Sequence, residues 1–266
     1  MVKRRRKRKS NGRLFLLLII IIPVVLLFFV FVFIQRNKDT TVARNDFPKI
    51  AIVLDDWGYT NRSLKLLEKI DYPLTLAVLP NLKYSQEISL LAADNKREVI
   101  LHLPMEPFSN GSIGLEPDTI TSAMSSNKIK QIFLSDLKNV STAKGVSNHM
   151  GSKATQDKRV MKILLRELKR KKLYFLDSYV TSGSVAEDIA IRIDTKHIKR
   201  DVFLDNERES GYIINQLVEL ARIAKEEGFA VGIGHEIAVT LRVLKDYIPK
   251  FEKEGFEFVL LSDLLR

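Results

Sequence analysis

The chain has 266 residues, ordinary hydrophobic (45%) and charged (28%) contents, no cysteine and a net charge of +11. The lack of cysteine excludes disulfides, thiolate nucleophiles and cysteine-ligated zinc or iron–sulfur sites. Ten of the cations lie in residues 1–38, which hold no acid, and the rest of the chain balances 33 basic against 32 acidic residues, so no surplus positive charge remains for nucleic acid phosphates.

Residues 1–13 form a basic segment that includes the unbroken run Lys3–Lys9. Residues 14–34 follow as 21 uncharged positions, interrupted only by Pro23. A helix of that length covers roughly 30 Å, the thickness of a bilayer core. The positive-inside rule places the basic segment in the cytoplasm and the remainder across the membrane. A cleaved signal peptide is the alternative. It needs a shorter apolar region and small residues at the cleavage site, whereas this run ends in the bulky Phe31-Val32-Phe33-Ile34. The expectation is therefore an uncleaved, single-pass signal anchor, a polar linker over 35–48 and an extracytoplasmic domain over 49–266.

From residue 49 short apolar runs alternate with amphipathic stretches. The runs are 50–54, 74–79, 99–101, 145–148, 173–176, 202–204, 230–233 and 256–261. Between them, Val160, Ile163, Leu164 and Leu168 fall at helical spacing, as do Ile213, Leu217, Leu220 and Ala224, and Leu241, Leu244, Ile248 and Phe251. Strands apolar on both faces and separated by helices read as βα units around a parallel sheet. Seven or eight units in about 215 residues suit a closed or nearly closed (β/α)7–8 barrel. An open doubly wound sheet competes, but no glycine-rich phosphate loop follows the first run.

Polar residues gather where these runs end. Asp55-Asp56 closes the first, His102 the third, with Glu106 four residues on, His149 the fourth and Asp177 the fifth. Arg200 and Asp205 flank the sixth, and Gly234-His235 ends the seventh. In parallel α/β folds this face carries the active site, because the βα loops collect there. Each residue also has a structural reading, Asp55-Asp56 as a helix cap or turn and each histidine as a satisfied polar group. Together they match a catalytic metal site. One Asp and two His hold a divalent ion such as zinc, a second carboxylate activates water and a further His assists the leaving group. Asp55, Asp56, His102, His149 and His235 fill these five places. Trp57, directly after the acidic pair, is expected on a loop, stacking on a sugar ring. His197, in a polar stretch, receives no role.

The stretches Ile52-Val53-Leu54-Asp55-Asp56-Trp57-Gly58, Leu101-His102-Leu103-Pro104-Met105-Glu106-Pro107, Asn148-His149-Met150-Gly151-Ser152 and Asp201-Val202-Phe203-Leu204-Asp205-Asn206 resemble signatures of the divergent polysaccharide deacetylase family, within the NodB-like carbohydrate deacetylases. The resemblance implies a NodB-like barrel over residues 48–266. It also implies a divalent metal, zinc by preference, and removal of acetyl groups from a cell-envelope polysaccharide. By position, Asp55 is the implied general base, Asp56 and His102 metal ligands, and His235 the catalytic acid. Glu106 stands where the family pattern has a second histidine, so either Glu106 or His149 completes the ligand set, with His149 favoured. Asp177 is expected to orient a catalytic neighbour. Trp57, Glu106, Arg200 and Asp205 are expected at the substrate rim. A non-catalytic, carbohydrate-binding or scaffold protein on the same fold is the alternative function.

Overall fold

A computed structural model describes residues 47–95, 97–109 and 114–265. The expected basic segment, the membrane-spanning run 14–34 and most of the linker lie outside the described residues. Among the described residues no helix is long and apolar enough to cross a membrane.

Among the described residues nine strands make one sheet. They are β1 (Lys49–Trp57), β2 (Thr75–Val78), β3 (Glu98–Met105), β4 (Gly145–Met150), β5 (Tyr174–Asp177), β6 (His197–Lys199), β7 (Val202–Phe203), β8 (Phe229–His235) and β9 (Glu257–Val259). The order across the sheet is β6-β5-β4-β3-β2-β1-β8-β7, with β9 paired to the first residues of β1, and the pairings are parallel. Helices α1 (Leu64–Leu67), α2 (Ser85–Asp94), α3 (Ser126–Asn139), α4 (Lys158–Lys171), α5 (Ala186–Ile193), α6 (Ser210–Glu227) and α7 (Ala238–Lys253) connect them.

Alternation along the strands explains why the runs are apolar throughout. Ile50, Ile52 and Leu54 of β1 pack in a large core with the buried stripes of the helices, including Val160, Leu164 and Leu168 of α4 and Ile213, Leu217 and Leu220 of α6. The intervening Ala51 and Val53 face the other way. They join Ala77, Ile100, Leu176, Ile198, Val231, Ile233 and Val259 in a second buried cluster. A flat sheet cannot bring residues of β1, β2, β3, β5, β6, β8 and β9 into one inner cluster, so the sheet is curled into an incomplete barrel. Strands covered on both faces must be apolar on both faces.

The two ends of the sheet are consecutive in the chain. Lys199 ends β6 and Val202 begins β7, leaving only Arg200 and Asp201 between them. Arg200 N–H donates to Asp177 O at 3.1 Å and Asp201 N–H to Val231 O at 2.9 Å, while Asp201 Oδ2 accepts from Val231 N–H at 2.8 Å. One extended stretch is thus bonded to β5 by its first half and to β8 by its second. The sequence shows only the second half, because Thr195-Lys196-His197-Ile198-Lys199 is too polar to read as a strand.

Candidate metal centre

The site begins with a defect in β1. Leu54 pairs with Leu76 and Trp57 with Val78, so Asp55 and Asp56 together stand opposite Ala77 alone. This is a β-bulge, and Asp56 carries it with φ +67, a region that Asp tolerates better than most residues. Strict alternation would send two adjacent side chains to opposite faces. The bulge cancels one step, so both carboxylates reach the mouth of the barrel. The same shift returns Trp57 to the outer core, where it is fully buried. Trp57 therefore has no face for a sugar, and the loop role expected from sequence is corrected.

Three further strands complete the cluster. His102, on the inner face of β3, directs Nδ1 to Ser147 Oγ at 2.7 Å. Its Nε2 then points at the acidic pair, 3.4 Å from Asp56 Oδ1 and 3.6 Å from Asp55 Oδ2. His149, beside Pro104 in the β3–β4 ladder, places Nδ1 3.0 Å from the same Asp56 Oδ1. His235 ends β8 directly opposite Asp55, with Nε2 3.8 Å from Asp56 Oδ2.

These groups fit a metal ion. Asp56, His102 and His149 each offer a ligand atom, all within 4.8 Å of one another. Asp55 Oδ1 is buried with no hydrogen-bond donor, and Asp56 Oδ1 faces only the two imidazole nitrogens at 3.0 and 3.4 Å. A buried carboxylate oxygen is normally paired, so this gap calls for a cation. Ligands about 2.0–2.1 Å from a tetrahedral ion stand about 3.3 Å apart, close to the 3.0 and 3.4 Å seen at Asp56 Oδ1. One carboxylate oxygen and two imidazole nitrogens, with room for water, are the donor set of catalytic zinc.

The electrostatics divide the acidic pair. Burial pushes the Asp55 carboxyl up, with His102 opposing the shift. Burial also acts on Asp56, but His102 and His149 beside it hold its carboxyl well below the usual range. Asp56 is therefore the permanent anion and Asp55 the carboxylate more readily protonated. At His102, burial disfavours the cation, but Asp55 and Asp56 outweigh it and raise the imidazole. At His235, burial is again outweighed, here chiefly by Asp205, and the ring is raised to about 9.

Asp205 is a clamp on His235. Its Oδ1 meets Nδ1 at 2.8 Å, and its Oδ2 accepts from His235 N–H at 2.8 Å and from Thr240 Oγ1 at 2.6 Å. Gly234 leaves the space, since a Cβ there would lie 3.3 Å from Asp205 Oδ2 and 3.1 Å from Thr240 Cγ2. Phe203 stacks on the His235 ring at 5.6 Å, 17° from parallel, and the Arg200 guanidinium lies over Phe203 at 4.5 Å. Arg200 itself is tied to the carbonyls of Ser178 and Tyr179 at 2.7 and 3.0 Å.

Several expected roles change accordingly. Asp205 has both oxygens occupied, so it positions His235 and does not face substrate. Arg200 is likewise committed to backbone carbonyls and to the Phe203 stack. Glu106 is neither a ligand nor a free rim group: it accepts from Lys153 Nζ, Ser122 N–H and Ser122 Oγ, each at 2.7 Å. Its lowered carboxyl, which burial opposes, reflects those three donors. Asp177 accepts from Tyr179 N–H at 2.8 Å and Ser184 Oγ at 2.6 Å, and so orients the turn after β5 instead of a catalytic group.

Sequence reasoning missed Ser147, Thr240 and Glu236. The first two act through strand pairing, which leaves no local signal. Glu236 follows His235, and its Oε2 is buried without a partner. Burial, with Asp56 nearby, pushes this carboxyl up to about 7.

Comparison with known proteins identifies the family and the fold. A family model described as divergent polysaccharide deacetylase matches residues 52–265. Uncharacterized protein YibQ of Escherichia coli K12 is 36% identical over 200 residues, 75% of this chain and 62% of its own length. The chain thus spans about three-fifths of that relative. The crystal structure of uncharacterized protein ATU2773 from Agrobacterium tumefaciens C58 is similar with a TM-score of 0.79 and 23% identity, over 82% of this chain and 89% of that one. The wild-type BA3943 protein of Bacillus anthracis, described as a CE4 family pseudoenzyme, is similar with a TM-score of 0.51 and 16% identity, over 83% of this chain and 66% of that one. At these identities the two structures share the fold alone.

Proposed function

Because the chain belongs to the divergent polysaccharide deacetylase family, we propose that it is a metal-dependent hydrolase that removes N- or O-acetyl groups from a cell-envelope polysaccharide. The observation that carries this reading is the convergence of Asp56, His102 and His149 on one gap, with Asp55 and His235 beside it. A divalent ion such as zinc, when bound there, supplies Lewis acidity to a carbonyl and acidifies a water molecule. Asp55 accepts the proton of the attacking water. Its buried, unpaired Oδ1 and raised carboxyl suit a base that must also release that proton. His235, raised to about 9, is protonated at neutral pH. Its Nδ1 is held by Asp205, so Nε2 delivers the proton to the departing amine or alcohol. Ser147 orients the His102 ring as Asp205 orients that of His235.

We place the domain outside the cytoplasm, held by the apolar run 14–34, where envelope polysaccharide is accessible. The test is metal content and acetate release for the purified chain and for His149→Ala. About one bound divalent ion per chain, acetate released from an N-acetylated glycan, and loss of both in His149→Ala are expected. A chain that stays metal-free after dialysis against zinc removes the hydrolase reading. The fold also hosts a protein described as a pseudoenzyme, and fold alone does not assign turnover. Metal and glycan binding without acetate release would therefore leave a carbohydrate-binding protein in its place.

A further inference from the structure

Charge is unevenly placed on the domain. Of the 33 basic and 32 acidic residues beyond residue 38, the segment 158–172 alone holds eight basic residues and one acid, Glu167. The rest, 25 basic against 31 acidic, is negative. The segment is α4 with its C-terminal cap. Val160, Leu164 and Leu168 turn inward to the core, and all eight cations are exposed. Lys158, Lys162, Arg166 and Arg170 follow one another at four-residue steps, a row of like charges that destabilises a helix. The helix dipole favours cations in the last turn, which accounts for Lys169, Arg170 and Lys171 but not for the row before them. Glu167 pairs with Arg170 and Lys130, and Asp194 with Lys169. Among the described residues Lys158, Lys162, Arg166, Lys171 and Lys172 have no carboxylate partner.

The positive surface continues at the base. Lys144 directly precedes β4 and Lys196 directly precedes β6, and with Lys172 they border a single cleft. Neither Lys144 nor Lys196 has an ion pair among the described residues. Arg97 also borders the cleft, but its guanidinium is committed to the carbonyls of Leu67 and Ile70 at 2.8 and 2.7 Å. The acid that borders it, Glu98, is buried beneath three donors. The base is also the end at which the chain enters the barrel, since β1 begins at Lys49. The stretch 35–48 between the apolar run and β1 reaches at most about 50 Å when fully extended. A bilayer that holds residues 14–34 is therefore within reach of the base, and lipid phosphates are the anions it presents.

We propose that Lys144, Arg166, Lys171, Lys172 and Lys196 form a docking face for anionic lipid headgroups, which draws the base to the bilayer and turns the mouth away from it. This inference rests on the anchoring reading for a bilayer within reach, but headgroup binding stands apart from metal and turnover.

Because the chain has no cysteine, one introduced cysteine carries one fluorophore. Ser141→Cys, exposed in the turn before β4, marks the base, and Ser182→Cys, exposed in the loop after β5, marks the mouth. Each labelled full chain is reconstituted into phosphatidylcholine vesicles with a quencher on the headgroups, with or without about 30% phosphatidylglycerol. Quenching of the base label is expected to rise at least about threefold with phosphatidylglycerol and to fall back in about 0.5 M salt. The mouth label should not respond. Lys144→Gln, Lys171→Gln, Lys172→Gln and Lys196→Gln, combined, should abolish the rise, with circular dichroism and metal content unchanged. Equal quenching of the base label in both vesicles overturns the proposal, as does a rise that survives in the glutamine variant. A base label that responds instead to soluble polygalacturonate, in phosphatidylcholine vesicles, would assign the face to an acidic polysaccharide. Flotation with phosphatidylcholine vesicles alone scores the anchor separately. If the chain does not float, the anchoring reading fails, and the phosphatidylglycerol arm still decides the docking face. The basic segment 1–13 is common to parent and variant, so their difference reports that face alone.

Discussion

The two ends of the curled sheet treat buried carboxylates in opposite ways. At the base, Glu98 opens β3 and is almost fully buried, and its Oε1 accepts from Thr75 Oγ1 at 3.0 Å, Tyr174 Oη at 2.8 Å and Ser262 N–H at 3.1 Å. At the mouth, Asp55 keeps a buried oxygen with no donor, and Asp56 meets only the imidazole nitrogens of the cluster itself. The base also holds a cleft of about 650 Å³, bordered by Glu98, Lys144, Lys172, Tyr174 and Lys196. Room alone would point to the base. Unsatisfied polar groups point to the mouth, and they are the better guide, because a fold does not leave a buried charge unpaired without a compensating purpose. The satisfied carboxylate ties strands together, and the incompletely satisfied pair marks the candidate site.

That contrast breaks most decisively at Asp55. Asp55→Asn should lower acetate release by about 10²–10⁴-fold while zinc content holds. The unfolding free energy should change little, since burial disfavours the charge that is removed while its attraction to His102 is lost. Denaturant unfolding beside a turnover assay reads both quantities. A variant that keeps full turnover would deny Asp55 the role of base. Glu98→Ala should behave in the opposite sense. It strands the donors of Thr75, Tyr174 and Ser262 and should cost about 2–3 kcal/mol of stability. Zinc content and turnover per folded molecule should match the parent. If metal binding were lost in Glu98→Ala without loss of fold, the separation of the two ends would be wrong.

Much of this was legible in the sequence, for physical reasons. Runs such as 50–54 and 230–233 are apolar on both faces because the curled sheet covers both, and His102, His149 and His235 each stand near the carboxyl end of a strand. What escaped was whatever depended on register. Trp57 read as a loop residue because nothing in Asp55-Asp56-Trp57 announces a bulge. The Asp205 clamp spans 30 residues and two strands, so Asp205 looked like a free rim acid. Glu106 looked available because its partners Ser122 and Lys153 lie 16 and 47 residues away. The first half of the seam, His197–Lys199, alternates too few apolar residues to show a strand.

The smallest expected effect sharpens the comparison within the mouth itself. His235, unlike Asp55, is paired, and its ring is raised to about 9 from an ordinary 6.5. The folded chain therefore holds this proton more tightly than the unfolded chain does. The contribution to stability is complete below about pH 6.5 and disappears as pH rises through about 9. A third of the His235 side chain is exposed, so solvent screening reduces the effect to about 1–2 kcal/mol. Urea unfolding of the metal-free chain at pH 6 and pH 10 should show that loss in the parent and not in His235→Gln, other groups titrating alike in both. Asp205→Asn should flatten the difference too, because the carboxylate that raises the ring is gone while the imidazole remains. If parent and both variants lost stability equally, the Asp205–His235 pair would not hold a proton at neutral pH. His235 could then not start the reaction as an acid, even with the metal ligands in place.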